Sequence, residues 1–369
     1  MIRLRGSLGR GLVCSLILFF SQTAYAGWTY FFYISGDYYF EGPTMTSKSR
    51  LELEDQAHAL YELLYESADS DTQNNYAIFF DPKGRAAPFS SRHVRFRYFE
   101  RGRKVHSNGI YEREIDATSP ETFERFFKLA KEHIVSLPQT ETLFFYYGEQ
   151  ISEKSVGSAQ DLSHPKSEML WDSLSQAFSS FGQKWSLQIF QSCYSNTIAS
   201  LKLVAPHTRA LILVNGLVTR SVLPGLETLL KSGPKPELWI QEFMKLSQQS
   251  PFPHTFFVVP KHASSWVELL DRIQSATPIH DESKYWKELT DDWRSGYKGQ
   301  GLLTLDWEGL AHPVEILSSR LVYLRMSDWI DLRIRASDQI LDEALLNEAH
   351  KLQSDPDSPK FRVPVVSGE

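Results

Sequence analysis

Trp185 to Ser195 reads WSLQIFQSCYS, and the fold is decided there. Leu187 to Phe190 has the makings of a buried strand. It runs out into a small polar turn, Gln191-Ser192, that carries Cys193. The chain holds two cysteines, and the other, Cys14, lies in an N-terminal leader. Without that leader Cys193 is the sole thiol, so no internal disulfide can form, and an unpaired cysteine in an exported chain stands out as a reactive-thiol candidate. A thiol at the end of a parallel strand sits where α/β sheets open into crevices.

Working outward, the grammar on both sides is βαβ. Trp28–Ser35 (WTYFFYIS) is a continuous apolar run closed by Gly36-Asp37, as expected of a strand covered on both faces. Leu53, Ala57, Leu60 and Leu64 recur at helical spacing within 51–67. Tyr76–Phe80 (YAIFF) is a second strand, stopped by Asp81-Pro82. Val94, Phe96 and Tyr98 alternate with Arg95 and Arg97, and Arg101-Gly102 turns the chain into a small antiparallel hairpin. Ser119-Pro120-Glu121 starts a helix with a capping serine, proline at the first helical position and an acid in the first turn. Thr142–Tyr147 (TLFFYY) is a third strand, ending at Gly148, and the polar stretch 149–163 after it reads as a long loop. A helix around Leu170–Phe178 closes at Gly182. Leu187–Phe190 is the fourth strand, 196–204 a helix, and Arg209–Val214 the fifth strand. The expectation is a five-stranded, largely parallel sheet with helices on both faces.

Beyond the fifth strand and the loop after it the pattern is less regular. Strands are expected at 255–259, 302–307 and 314–317. Helices are expected at 240–246, 266–273, 285–293 and 341–352, with a mobile tail from Asp355.

The first residues restrict the compartment. Arg3, Arg5 and Arg10 precede an apolar run, Leu12–Phe20, and Ala24-Tyr25-Ala26 fits a small-residue cleavage site. That is the signature of a signal peptide over residues 1–26, and it places the chain in the periplasm or outside the cell. Removing those three cations takes the formal net charge from −6 to −9. So acidic a chain is not a nucleic-acid binder, which would need a basic surface. No later stretch is long and apolar enough to span a membrane. No cysteine–histidine spacing of zinc-site type occurs.

Taken in order, these segments resemble a clostripain-family cysteine peptidase, a bacterial caspase-like fold. WTYFFYISGD resembles the family's Trp-Thr strand and its aspartate-bearing loop, with Asp37 at the aspartate. NYAIFFD resembles the second strand, and DATSPETFERFFKLAKEHI the helix leading to the third. TLFFYYG stands where the family has a strand ending in His-Gly, and LQIFQSCYS where it has one ending in Asp-Ala-Cys or Asp-Ser-Cys. ALILVNGLVTRSVLPG resembles the fifth strand and the Pro-Gly loop after it. The resemblance covers roughly Gly27 to Gly225. It implies a caspase-like three-layer sandwich with a largely parallel central sheet over residues 27–250. A C-terminal α+β extension, 251–354, packs on the core, and 355–369 form the tail.

The departures from the family fall on the chemistry. Its catalytic histidine position is Tyr147, and its specificity-pocket aspartate position is Gln191. Cys193 keeps the nucleophile position, and the oxyanion donors implied are the backbone N–H groups of Gly148 and Cys193. Gln191, Ser192 and Asp37 line the implied substrate site. A cysteine peptidase needs a thiolate and a nearby base. A phenol of ordinary pKa, about 10, is a poor proton acceptor at neutral pH beside an imidazole. Among the histidines, His164 is the best placed substitute base, while His106, His133 and His207 read as structural or surface residues. Two readings follow: a catalytically impaired homologue that binds a peptide or protein, or an active cysteine endopeptidase pairing Cys193 with His164. No cofactor is required by the residues. The resemblance leaves room for calcium dependence and self-cleavage.

Overall fold

The structure is a computed structural model. It describes residues 27–36, 47–82, 93–107, 115–148, 151, 160–161, 164–192, 195, 197–214, 223–232, 238–239, 241–243, 254–258, 263–278, 321–325, 330, 333–335, 337, 341–354 and 362–366. The readings at 285–293, 302–307 and 314–317 and the leader lie outside the described residues.

Five parallel strands make the centre of the sheet: β1 (Trp28–Ser35), β2 (Asn75–Asp81), β5 (Glu141–Gly148), β8 (Leu187–Ser192) and β9 (Ala210–Val214). Their apolar runs are buried on both faces, as a parallel sheet between helical layers requires. The sheet is nevertheless eight-stranded, not five-stranded. β3 (Arg95–Glu100) and β4 (Arg103–Ser107) add antiparallel to one edge, and β10 (His254–Val258) adds antiparallel to the other, giving the order β10-β9-β8-β5-β1-β2-β3-β4. The hairpin joins the sheet because β3 pairs along β2 from Asn75–Glu100 to Phe80–Arg95. Its two-residue turn has positive φ at both Arg101 (51°) and Gly102 (75°), the twist that tight hairpins favour. The eighth strand comes from beyond residue 250, where the sequence places the extension.

Strand alternation splits the core into two layers. Tyr30, Phe32, Ile34, Phe145, Tyr147, Leu187 and Ile189 face α1 (Ser47–Ser70) and α5 (Leu223–Ser232). Phe31, Tyr33, Phe144, Tyr146 and Phe190 face α2 (Pro120–His133), α3 (Trp171–Phe181), α4 (Ile198–Val204) and α6 (Ala263–Ala276). Helices therefore cover both faces, and the three-layer caspase-like α/β architecture holds. The second layer is dense with rings: Trp185 meets Phe31 edge-on at 4.9 Å and stacks on Phe181 at 4.5 Å. Helix ends are where the residue chemistry puts them. Ser119 caps α2 by accepting from Thr122 N, Gly182 closes α3 at φ 70°, and Thr197 with Ser200 forms a reciprocal capping box on α4. Leu223-Pro224-Gly225, read as a loop, opens α5 instead, with proline in the first turn, where its missing N–H is harmless.

Among the described C-terminal residues, the helix Glu343–Ser354 packs on α6. Arg272 pairs with Glu348 of α7 (Glu343–Ser354), and Leu341 and Ala349 join the aromatic layer. Within the stretch read as a tail, β12 (Arg362–Val366) pairs antiparallel with β11 (Leu321–Arg325).

Candidate functional site

The central strands bring their C-terminal ends into line. Register pairing runs Phe80–Ile34–Tyr147–Gln191 across β2, β1, β5 and β8. One residue further on, Ser35 pairs with Asp81 and Gly148 with Ser192. Tyr147 and Gln191 share the face that looks toward α1 and α5. Both are enclosed, at 4% and 2% exposure, and Tyr147 belongs to the apolar cluster containing Ile34 and Phe145. The phenol therefore fills volume inside a packed layer, and no imidazole occupies that register position.

Two close approaches shape the rim. Gly36 N donates to Asp81 O at 2.8 Å, and a Cβ on Gly36 would lie 2.7 Å from the same oxygen, which only glycine tolerates. At Gly148 a Cβ would lie 2.6 Å from Tyr146 Oη and 3.1 Å from Ser35 Cβ. Tyr146 thus folds its phenol over the backbone of the residue implied as an oxyanion donor.

Ser195 controls how the chain leaves β8. Its hydroxyl donates to Phe190 O at 3.2 Å and accepts from Val214 N at 2.8 Å, and the residue is fully buried. Ser195 is thus tied to both β8 and β9. Two residues later the capping box on α4 takes over: Ser200 N donates to Thr197 Oγ1 at 3.1 Å, and Thr197 N donates to Ser200 Oγ at 3.0 Å.

Of the residues chosen from sequence, Tyr147, Gly148, Gln191 and Ser192 come together on β5 and β8. Asp37 and Cys193 lie outside the described residues. His164 opens β7 (His164–Glu168), which pairs with β6 (Gln160–Asp161) in a hairpin separate from the main sheet, its Cα opposite Asp161. Part of the expected loop is therefore ordered strand. His207, His106 and His133 lie away from the C-terminal strand ends. His207 is at the opposite end of β8, where its carbonyl accepts from Trp185 N at 2.8 Å and its Nε2 lies 3.2 Å from Ser175 Oγ. Burial, helped by Lys184, lowers its pKa. His106 stacks on His133 at 4.2 Å beside Tyr98, near the hairpin edge. Ser35, Tyr146 and Ser195 were not singled out as site residues. Small residues in and after a strand-end turn were the only signal for Ser195, and strand parity the only one for Tyr146.

Among the described residues no three His, Cys, Asp or Glu side chains cluster closely enough to hold a metal ion, so no calcium ligands are assigned.

No protein-family model matches the chain, and no curated protein matches it. Solved structures do. An inactive zymogen C11 protease from Parabacteroides distasonis aligns with 94% of this chain and 91% of its own at 13% identity, with a TM-score of 0.50. A secreted C11 cysteine protease from Bacteroides thetaiotaomicron, in complex with an irreversible peptide inhibitor, aligns with 70% of this chain and 72% of its own at 14% identity and a TM-score of 0.43. A further structure of a secreted C11 protease from that organism, "iotapain", aligns over 73% and 71% at 11% identity and 0.45. At these identities the likeness is one of fold: the chain has the caspase-like α/β fold seen in C11, clostripain-family, cysteine proteases.

Proposed function

We propose that this chain, built on the C11 protease fold, is an exported peptide- or protein-binding module whose peptidase chemistry is impaired. The observation that supports it is the pairing of Tyr147 with Gln191. The residue standing where the family places its imidazole is a buried phenol, and its register neighbour is a neutral amide where the family places a carboxylate. The first change removes general acid–base help, typically about 10²–10⁴-fold. The second removes the charge that would hold an arginine or lysine side chain. On this reading an extended segment would dock along the strand ends. Export rests on the basic, apolar and Ala24-Tyr25-Ala26 pattern of the leader. Among the described residues no helix is long and apolar enough to cross a membrane.

The test is labelling of Cys193 by a thiol-directed peptide probe near neutral pH, with peptide hydrolysis measured in parallel. Slow labelling and no hydrolysis are expected. Fast labelling with a hydrolysis that Cys193→Ala abolishes overturns the proposal in favour of a working endopeptidase. In that case, loss of the same hydrolysis in His164→Ala identifies the relocated base.

A further inference from the structure

The alternating arginines of β3 have no part in the strand-end site, and their surroundings form a second, differently charged feature. Arg95 and Arg97 lie on the α1 face of the sheet, where they border a surface cleft of about 220 Å³ between α1 and the hairpin. Lys104 supplies a third cation, Glu62 the sole carboxylate among the described lining residues, and Tyr61 and Tyr65 its aromatic wall. The lining is thus net positive in a chain whose overall formal charge is −6.

The cations are held by packing. Tyr61 stacks on Phe80 at 4.6 Å, and the Arg95 guanidinium rests over both rings, 4.8 Å from the first and 5.7 Å from the second. Glu62 approaches it at 3.7 Å. Lys104 Nζ donates to Tyr65 Oη at 2.7 Å. Such pre-positioning lowers the ordering penalty when a partner arrives.

Lys104 and Ser107 both border the cleft although they are three residues apart on one strand. Regular alternation would send them to opposite faces. The register explains it: Phe99 pairs with Lys104 but Tyr98 with His106, so Val105 is an extra residue, a bulge that returns both side chains to the cleft face. β4 is also the last strand of the sheet, and among the described residues nothing pairs with its outer edge.

The geometry points to β4 as a docking edge for an acidic extended peptide of a partner protein. The peptide would add as a ninth strand by backbone hydrogen bonds, placing an Asp or Glu side chain in the cleft beside Arg97 and Lys104. The cleft is smaller than the usual range of small-molecule sites, about 300–1,000 Å³, and its size suits a single side chain. Strand addition supplies affinity and the alternate side chains supply selection. This surface is separate from Tyr147 and Gln191, so it stands or falls independently of the peptidase question.

The experiment is fluorescence anisotropy on the full chain with a labelled peptide of alternating Glu and Val. Comparators are a Lys–Val peptide and a Glu–Val peptide N-methylated along one edge. Expected are saturable binding of the Glu–Val peptide that weakens with salt, and at least roughly tenfold weaker binding of both comparators. Arg97→Gln with Lys104→Gln should weaken binding by a similar factor. Arg97→Glu with Lys104→Glu should shift preference to the Lys–Val peptide. No binding of the Glu–Val peptide up to about 1 mM overturns the proposal. So does equal binding of the N-methylated or Lys–Val peptide, or unchanged affinity in the neutral double variant.

Discussion

Tyr147 and Gln191 are register neighbours on adjacent parallel strands, facing the same helical layer and almost sealed from solvent. A histidine at 147 would therefore enter a packed apolar layer, and an aspartate at 191 would be enclosed beside it.

Tyr147→Ala should lower stability by about 3–5 kcal/mol, the usual range for emptying a large aromatic site. Tyr147→His should cost about 1–3 kcal/mol, because a smaller polar ring replaces the phenol among Ile34 and Phe145. The double variant Tyr147→His, Gln191→Asp is expected to gain slow cleavage after arginine or lysine while melting lower than the native chain. Urea titration and hydrolysis of an arginyl amide check both. A double variant that folds and cleaves nothing would detach this register position from the catalytic role.

At Gly148 the crowding comes from its own predecessor. An added Cβ would meet Tyr146 Oη at 2.6 Å and Cζ at 2.9 Å. A ring held by the aromatic layer yields less readily than a flexible chain end. Gly148→Ala should therefore destabilise by about 1–3 kcal/mol. The loss should be smaller in a Tyr146→Phe background, since the nearest atom is gone, and a double-mutant cycle measures that coupling. Purely additive losses would show that the clash is relieved elsewhere.

Much of this was legible from residues. β1, β2, β5 and β9 are apolar runs too continuous for any other element, and Ser119-Pro120-Glu121 and Gly182 punctuate helices for stated steric and hydrogen-bonding reasons. The sheet edges were not legible as sheet, because an edge strand such as Arg103–Ser107 is short and polar, and nothing local says which neighbour it pairs with. Pro224 misled because proline suits both a loop and a first helical turn. In the site, the adjacency of Tyr147 and Gln191 followed from both standing at the ends of strands. The folding of Tyr146 over Gly148 and the bridge made by Ser195 depend on strand register and on a contact 19 residues away, which no local pattern encodes.

Ser195 joins Phe190 O to Val214 N through one hydroxyl. Ser195→Ala leaves that buried N–H without its acceptor, a loss of about 1–3 kcal/mol. Because the hydroxyl anchors the chain just after Cys193, the variant should also label faster at that thiol through local opening, at denaturant concentrations too low to unfold the protein. Timed alkylation with mass detection reads this. Equal labelling rates in native and variant chains would mean that Ser195 acts on global stability alone.

Glu100 supplies an acid-sensitive tie at the hairpin. Burial pushes its pKa up, but the Ser136 N–H donating at 2.9 Å, the Ser136 side chain and Arg103 outweigh this, and the net result lies below the ordinary value of 4.5. As pH falls, the unfolded chain therefore takes the proton first. The stabilisation is complete above the unfolded value and is lost as pH drops through the lower folded value. Glu100→Gln keeps the side-chain shape but has no carboxylate to titrate. It should be less stable than the native chain at neutral pH, and the gap should close in acid. Urea midpoints followed from about pH 6 to about pH 3 test this. Parallel curves for the two proteins would place the acid sensitivity on other carboxylates.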